Sequence, residues 1–180
     1  MKKNIFYFAP FFIFLLLGFF LWRGLSLNPA SVPSTFIHKP APDFALPDLY
    51  HPTHEVNEEI LRGKISVVHV WASWCEVCVS EHAALFYLVR IPGVQMIGWN
   101  YKDELSAAKR YLAQQGNPYH RVLWDKTGVF AINWGVYGTP ETFVVDKTGV
   151  IRYKHIGALN EVGVQEKLLQ VIHQIQKGAS

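Results

Sequence analysis

The chain has 180 residues, half of them hydrophobic, which suits one globular domain with a proper core plus an appendage. Its formal charge of +3 sits at the start, because setting aside Lys2, Lys3 and Arg23 leaves 14 basic against 14 acidic side chains. A body so balanced lacks the basic field that recruits nucleic acid, which excludes that class of partner.

Residues 1–23 predict a membrane anchor. No charged residue occurs from Ile5 to Trp22, and Phe, Leu and Ile dominate. As a helix this run is roughly 27 Å long, close to the ~30 Å core of a bilayer. The competing reading is a cleaved signal peptide, whose apolar region is shorter and ends in small residues. Here the run ends Phe19-Phe20-Leu21-Trp22-Arg23, and Trp22 suits an interfacial position. Neighbouring turns can absorb Pro10. Lys2, Lys3 and the α-amino group precede the span, so the positive-inside bias puts the N-terminus in the cytoplasm and the rest beyond the membrane. That compartment is oxidising. Residues 24–35, within a Pro- and Ser-bearing stretch that continues to Pro42, read as an extended tether.

Residues 36–180 read as one domain of alternating elements. Ile65 to Trp71 predicts a strand buried on both faces, interrupted by His69. A helix is expected over 75–89 and a second buried strand from Val94 to Trp99. Asp103 is placed to cap the next helix, which runs to about Gln115 and stops at Gly116. A short strand from Arg121 to Trp124 and a helical turn around Phe130 to Trp134 follow. Thr142–Val145 and Val150–Tyr153 form a hairpin across Asp146-Lys147-Thr148-Gly149, and Glu161 to Gln176 is an amphipathic closing helix. This order predicts an α/β fold, a central mixed sheet flanked by helices.

The only cysteines are Cys75 and Cys78, in Trp71-Ala72-Ser73-Trp74-Cys75-Glu76-Val77-Cys78. The segment follows a buried strand and opens a helix, where free backbone N–H groups and a positive dipole end favour a thiolate. Cys75 is expected to be the more exposed and acidic thiol, the attacking nucleophile. Cys78, nearly one turn on, can resolve a mixed disulfide at Cys75. A structural zinc site needs about four ligands, and adding His82, read as a solvated surface histidine, gives only three. A structural disulfide would close too short a loop to stabilise much. No metal is expected.

Trp71 through Cys78 resembles the thioredoxin active-site segment. Asn100-Tyr101-Lys102-Asp103, Gly116-Asn117-Pro118-Tyr119, Gly135-Val136-Tyr137-Gly138-Thr139-Pro140-Glu141-Thr142-Phe143 and Arg152-Tyr153-Lys154-His155-Ile156-Gly157 are similar to the DsbE/CcmG proteins of bacterial cytochrome c maturation. The resemblance covers about residues 36–176, and the nonapeptide at 135–143 is its most discriminating part. It implies a thioredoxin-like fold and a periplasmic, inner-membrane-anchored protein-disulfide reductase. Its electrons would come from a membrane thiol reductase of the DsbD type. They would pass to the disulfide of apocytochrome c, or to a thiol partner of the haem-ligation machinery, before haem attachment. The protein itself would need no cofactor. Two alternatives remain open at this point: a general periplasmic thiol oxidoreductase of unassigned direction, and a thioredoxin-fold copper metallochaperone using Cys75, Cys78 and a histidine.

The resemblance also places Thr139-Pro140 at the family's cis-proline, facing the cysteines, where backbone at Thr139 can pair with an extended substrate. It places Glu81 and Glu141 among acids that surround the active site and tune its thiols, although a solvated surface acid is an equal reading for Glu81. Two departures stand out. Glu76 occupies the family's usual proline position, and its carboxylate should oppose ionisation of Cys75. His69 occupies the place of a buried acid or asparagine, and reads either as a hydrogen-bonded core residue or as a proton relay to Cys78. Trp71, Trp99, Trp124 and Trp134 read as core, whereas Trp74, beside Cys75, is suited to packing against partners.

Overall fold

The computed structural model describes residues 5–25 and 36–178. The chain divides into two compact units, Met1–Val32 and Pro33–Ser180. The first carries a helix, α1 (Ile5–Leu25), with Pro10 inside it and Arg23 in its last turn. Its side chains are described over 9–24, and the large apolar ones, such as Phe14 and Trp22, are exposed. Among the described residues, no helix is long and apolar enough to cross a membrane. Lys2 and Lys3 lie outside the described residues, as does the expected tether beyond Leu25, residues 26–35.

The second unit begins with a small antiparallel pair, β1 (Ala45–Pro47) and β2 (Glu55–Asn57), followed by a 3-10 turn at Glu58–Leu61. The elements then run β3 (Ile65–Trp71), α2 (Glu76–Leu88), β4 (Val94–Tyr101), α3 (Leu105–Gln115) and β5 (Arg121–Asp125). They continue α4 (Val129–Asn133), β6 (Glu141–Val145), β7 (Ile151–Ile156) and α5 (Val162–Gln176). The strands form one sheet in the order β5-β4-β3-β6-β7. β3, β4 and β5 are parallel, and β6 runs antiparallel to both β3 and β7. This is the thioredoxin-like mixed sheet flanked by helices.

β3 is central because its side chains are dry on both faces, all seven being buried. Strand alternation sends Ile65, Val67 and Trp71 towards the core built with Leu85 of α2, Leu112 of α3 and Leu168 and Ile172 of α5. Val68 and Val70 face the opposite core, where Trp99, Trp134 and Phe143 meet Phe44. His69 lies between Val67 and Trp71 and so belongs to the first face. Backbone bonds from His38 and Ala41 to Ile151 and Gly149 lay the start of the unit along β7. Asp48 and Leu49 pair with β5 at the other edge. Both edges are thereby partly covered, which limits edge-to-edge pairing.

Candidate active site

β3 ends at Trp71, and the chain turns through 72–74 into α2, whose N-cap is Cys75 in an extended conformation. Its Sγ accepts the Cys78 backbone N–H at 3.1 Å, so a sulfur takes the capping role usually filled by a hydroxyl or carboxylate. Cys75 and Cys78 form a disulfide with a Cα–Cα separation of 5.3 Å. In this oxidised state Cys75 is 5% and Cys78 1% exposed. Glu76 stands exposed in the first turn of the helix. A carboxylate there opposes an anionic sulfur, which the helix start favours. Glu76→Gln is therefore expected to let the reduced Cys75 ionise at lower pH, measured by thiolate absorbance against pH. An unchanged or higher midpoint would contradict this.

The turn before the disulfide is fastened by Asp103. Its carboxylate accepts from Ser73 N (2.6 Å), Ser73 Oγ (2.8 Å), Asn100 Nδ2 (2.9 Å) and Glu104 N (2.8 Å). Asp103 is thus no helix cap, contrary to expectation. Glu104 is the N-cap of α3 and makes no side-chain capping bond. Of its four donors only the Glu104 N–H belongs to the helix start, and that is the amide of the N-cap residue itself, not one inside the helix. Beside it, Lys102 adopts a left-handed φ of 47° and presents its carbonyl to Trp74 Nε1 at 3.0 Å. The indole, anchored by that bond, remains 56% exposed. Trp71, Trp99 and Trp134 are buried, and Trp124 is half-buried.

Beneath the disulfide lies a dry polar chain. His69 Nδ1 meets Tyr119 Oη at 2.8 Å, and His69 Nε2 meets Glu81 Oε1 at 3.0 Å. Glu81 Oε2 accepts the Leu159 N–H at 2.6 Å. Glu81 is fully buried, so the solvated reading of this residue is wrong: its helix face turns into the sheet beneath Cys78. Burial, followed by the charges of Tyr111 and Glu81, pushes the Tyr119 hydroxyl well above its usual value, so it keeps its proton. A carboxylate at Glu81 only accepts, so with a neutral imidazole the bonds run from Tyr119 O–H to His69 Nδ1 and from His69 Nε2–H to Glu81. Gly98 makes this possible. It pairs with His69 in the sheet, and a Cβ there would stand 2.8 Å from the Tyr119 ring.

His82 is also buried, not solvated. Its Nε2–H donates to the Gly116 carbonyl (3.0 Å), and Nδ1 lies 3.2 Å from Tyr111 Oη, which is also 3.3 Å from the Cys78 carbonyl. Burial holds Tyr111 up at about 12, with Glu81 adding to the shift. Burial pushes His82 below its ordinary 6.5, against the Gly116 bond, with His69 lowering it further and Glu81 raising it. The unfolded chain therefore binds a proton at His82 that the folded protein resists. Stability is full above about pH 6.5 and declines as pH falls below it. His82→Gln should flatten this decline, read from urea midpoints at pH 7.5 and pH 5.5. An equal decline in the variant would contradict the assignment.

The remaining expected residues gather at the start of β6. Glu141 pairs with Val70, which brings the preceding Thr139-Pro140 to the end of β3 where the cysteine turn departs. The Thr139–Pro140 bond is cis, and the Pro140 carbonyl accepts the Gly157 N–H at 2.9 Å. Glu141 is buried. Its Oε1 accepts from Tyr137 N (2.7 Å) and Gly138 N (3.2 Å), and its Oε2 pairs with Lys154 Nζ at 2.9 Å. Its carboxylate is thus committed to the loop that carries Pro140. A groove of about 250 Å³ lies along this loop, lined by Tyr137 to Glu141 and by Ile156 and Gly157.

The chain that carries this disulfide and the cis-proline loop is similar to several known proteins. The Redoxin family matches residues 37–171. The thiol:disulfide interchange protein DsbE of Allochromatium vinosum is 43% identical over 169 residues, covering 94% of this chain and 93% of the relative. The Escherichia coli protein of the same name is 36% identical with both chains covered in full. The chain belongs to the DsbE family. A solved structure of a candidate DsbE from Chlorobium tepidum is 28% identical, with a TM-score of 0.62 over 76% of this chain and 94% of that one. As a DsbE-family protein, the chain is an enzyme of thiol–disulfide exchange.

Sequence reasoning gave no role to Tyr111, Tyr119 or Lys154. Tyr119 and Lys154 lie within segments that resemble the DsbE family, but nothing in their neighbourhood marks one as the donor to His69 or the other as the partner of Glu141. Both relations cross the sheet and appear only once it is assembled.

Proposed function

We propose that this protein is a reductant, held at the periplasmic face of the inner membrane, that opens the disulfide of apocytochrome c or of a haem-ligation thiol partner. The observation that carries the direction is the burial of Glu81 on the helix of Cys78, three residues further on. With Glu76 at the helix start, two carboxylates disfavour thiolate, so the reduced pair is not held back by a stabilised anion. A couple whose reduced form is strongly stabilised oxidises its partners, and carboxylates close to the sulfurs favour the opposite direction. The likeness of residues 135–143 to proteins of cytochrome c maturation supports the choice of substrate.

In this reading Cys75 and Cys78 carry the exchange. The Cys75 thiolate attacks one sulfur of the partner disulfide, and that bond breaks as the mixed disulfide forms. The departing partner sulfur takes a proton. Cys78 then gives its proton to the Glu81 carboxylate and attacks Cys75 Sγ. The Cys75–Cys78 bond forms, and the second partner sulfur leaves and is protonated in turn. Two electrons pass to the partner, and a DsbD-type membrane thiol reductase restores the dithiol. Trp74 and the backbone of Thr139–Pro140 flank the sulfurs and hold an extended partner segment by strand addition. His69 fixes the orientation of Glu81.

The anchor in this proposal is α1. The side chains described over 9–24 of it are too few to span a bilayer. The reading rests on the sequence, which holds no charge from Ile5 to Trp22 and so offers roughly 27 Å of apolar helix. Lys2 and Lys3 set its orientation. The test is partner trapping in cells with Cys78→Ser, which leaves mixed disulfides at Cys75 unresolved. Recovery of apocytochrome c or a haem-ligation subunit from the membrane fraction is expected. Recovery of general secreted proteins alone, or from the soluble fraction, would overturn the reading.

A further inference from the structure

Lys154 lies on an edge strand, yet its side chain is only 3% exposed. Paired with Phe143 in the register, it crosses β6 to reach the loop ahead of that strand. Its ammonium donates to the Gly135 carbonyl at 2.7 Å and lies 2.9 Å from Glu141 Oε2. It also sits 5.2 Å from the centre of the Phe143 ring and 4.6 Å from that of Tyr137. Glu141 in turn binds the N–H groups of Tyr137 and Gly138. One buried cation and one buried anion therefore hold both ends of the segment from Gly135 to Glu141. An exposed lysine on an edge strand is usually a device against aggregation. An enclosed one, whose two oxygen partners stand at the two ends of one segment, has another use.

That loop supplies one wall of the groove beside Pro140. Tyr137 is 73% exposed, so nothing in its own packing holds the ring. The face towards the Lys154 ammonium does, since a cation within about 6 Å of an aromatic centroid attracts it. We propose that Lys154 is a positioning residue for partner recognition. Its enclosed ammonium sets the 135–141 loop so that Tyr137 and the Thr139–Pro140 backbone stand together as the wall receiving a disulfide-bearing peptide. This rests on the proposed role of the Pro140 loop in binding the partner, and adds to it the residue that fixes the loop.

The test measures steady-state reduction of a synthetic peptide carrying an intramolecular Cys-x-x-Cys-His disulfide, with excess reduced glutathione restoring the Cys75–Cys78 dithiol. Lys154→Met is combined with Glu141→Gln, so that no unpaired charge is left buried. The expected result is a KM raised at least fivefold with kcat changed less than twofold. Tyr137→Ala is the companion variant and is expected to raise KM as well. If Tyr137→Ala raises KM and the double variant does not, the inference about Lys154 fails while the binding role of the loop stands. If neither raises KM, partner binding at this loop fails too. Should the methionine pair not fold, Lys154→Gln with Glu141→Gln removes the ammonium from Tyr137 with the same outcomes to distinguish.

Discussion

Glu81→Gln is expected to slow resolution of the mixed disulfide by about 100-fold at neutral pH, in the range of a lost general base. The three heavy-atom contacts around residue 81 can persist, because the polar chain has a second arrangement. The glutamine oxygen accepts from Leu159 N–H, and its amide donates to His69 Nε2. His69 then carries its proton on Nδ1 and donates to Tyr119 Oη, both existing contacts running in reverse. Two buried hydrogens, that of the Tyr119 hydroxyl and one of the glutamine amide, lose their acceptors in this arrangement, so urea midpoints of the variant are measured beside its kinetics. In the variant the resolving rate should rise about tenfold per pH unit, since only solvent hydroxide is left to ionise Cys78. Stopped-flow tryptophan fluorescence of the reduced protein mixed with a model disulfide checks both points. A resolving rate within twofold of the parent would show that the carboxylate is structural.

Lys154→Met alone is expected to cost about 3–5 kcal/mol of stability, because it leaves the Glu141 carboxylate buried without its counter-charge. Adding Glu141→Gln should recover most of that loss, since desolvating an ion pair consumes much of what its attraction returns. The glutamine oxygen can still accept from Tyr137 and Gly138. Urea midpoints of the parent, both single variants and the double variant close the cycle. Additive single effects with no recovery in the double would mean that the two side chains act independently.

The elements around the chemistry were legible because each carries a local signal. β3 reads as an unbroken apolar run, α2 begins where Cys75 ends it, and Gly116 closes α3 in a conformation with φ of 88°. The β1–β2 pair was not anticipated, since three residues are too few to establish a period. Asp103 looked like a cap because its position relative to α3 suited one. The donors that claim it, Ser73 and Asn100, come from other parts of the fold.

The site divides along the same line. Cys75, Cys78 and the cis bond at Pro140 follow from short motifs. The environments of Glu81 and His82 do not: a polar residue on a helix reads as solvated until the opposing strand supplies His69 and the facing helix supplies Tyr111. His69 is the hydrogen-bonded core residue of its two readings, held between Tyr119 and Glu81.

The most direct measurement is timed alkylation of the reduced protein with iodoacetamide across pH, with each adduct located by mass spectrometry. A reachable sulfur at the helix start with a second tucked behind it predicts early modification at Cys75 alone, with Cys78 following only after unfolding. Equal labelling of the two, or Cys78 first, would contradict the account.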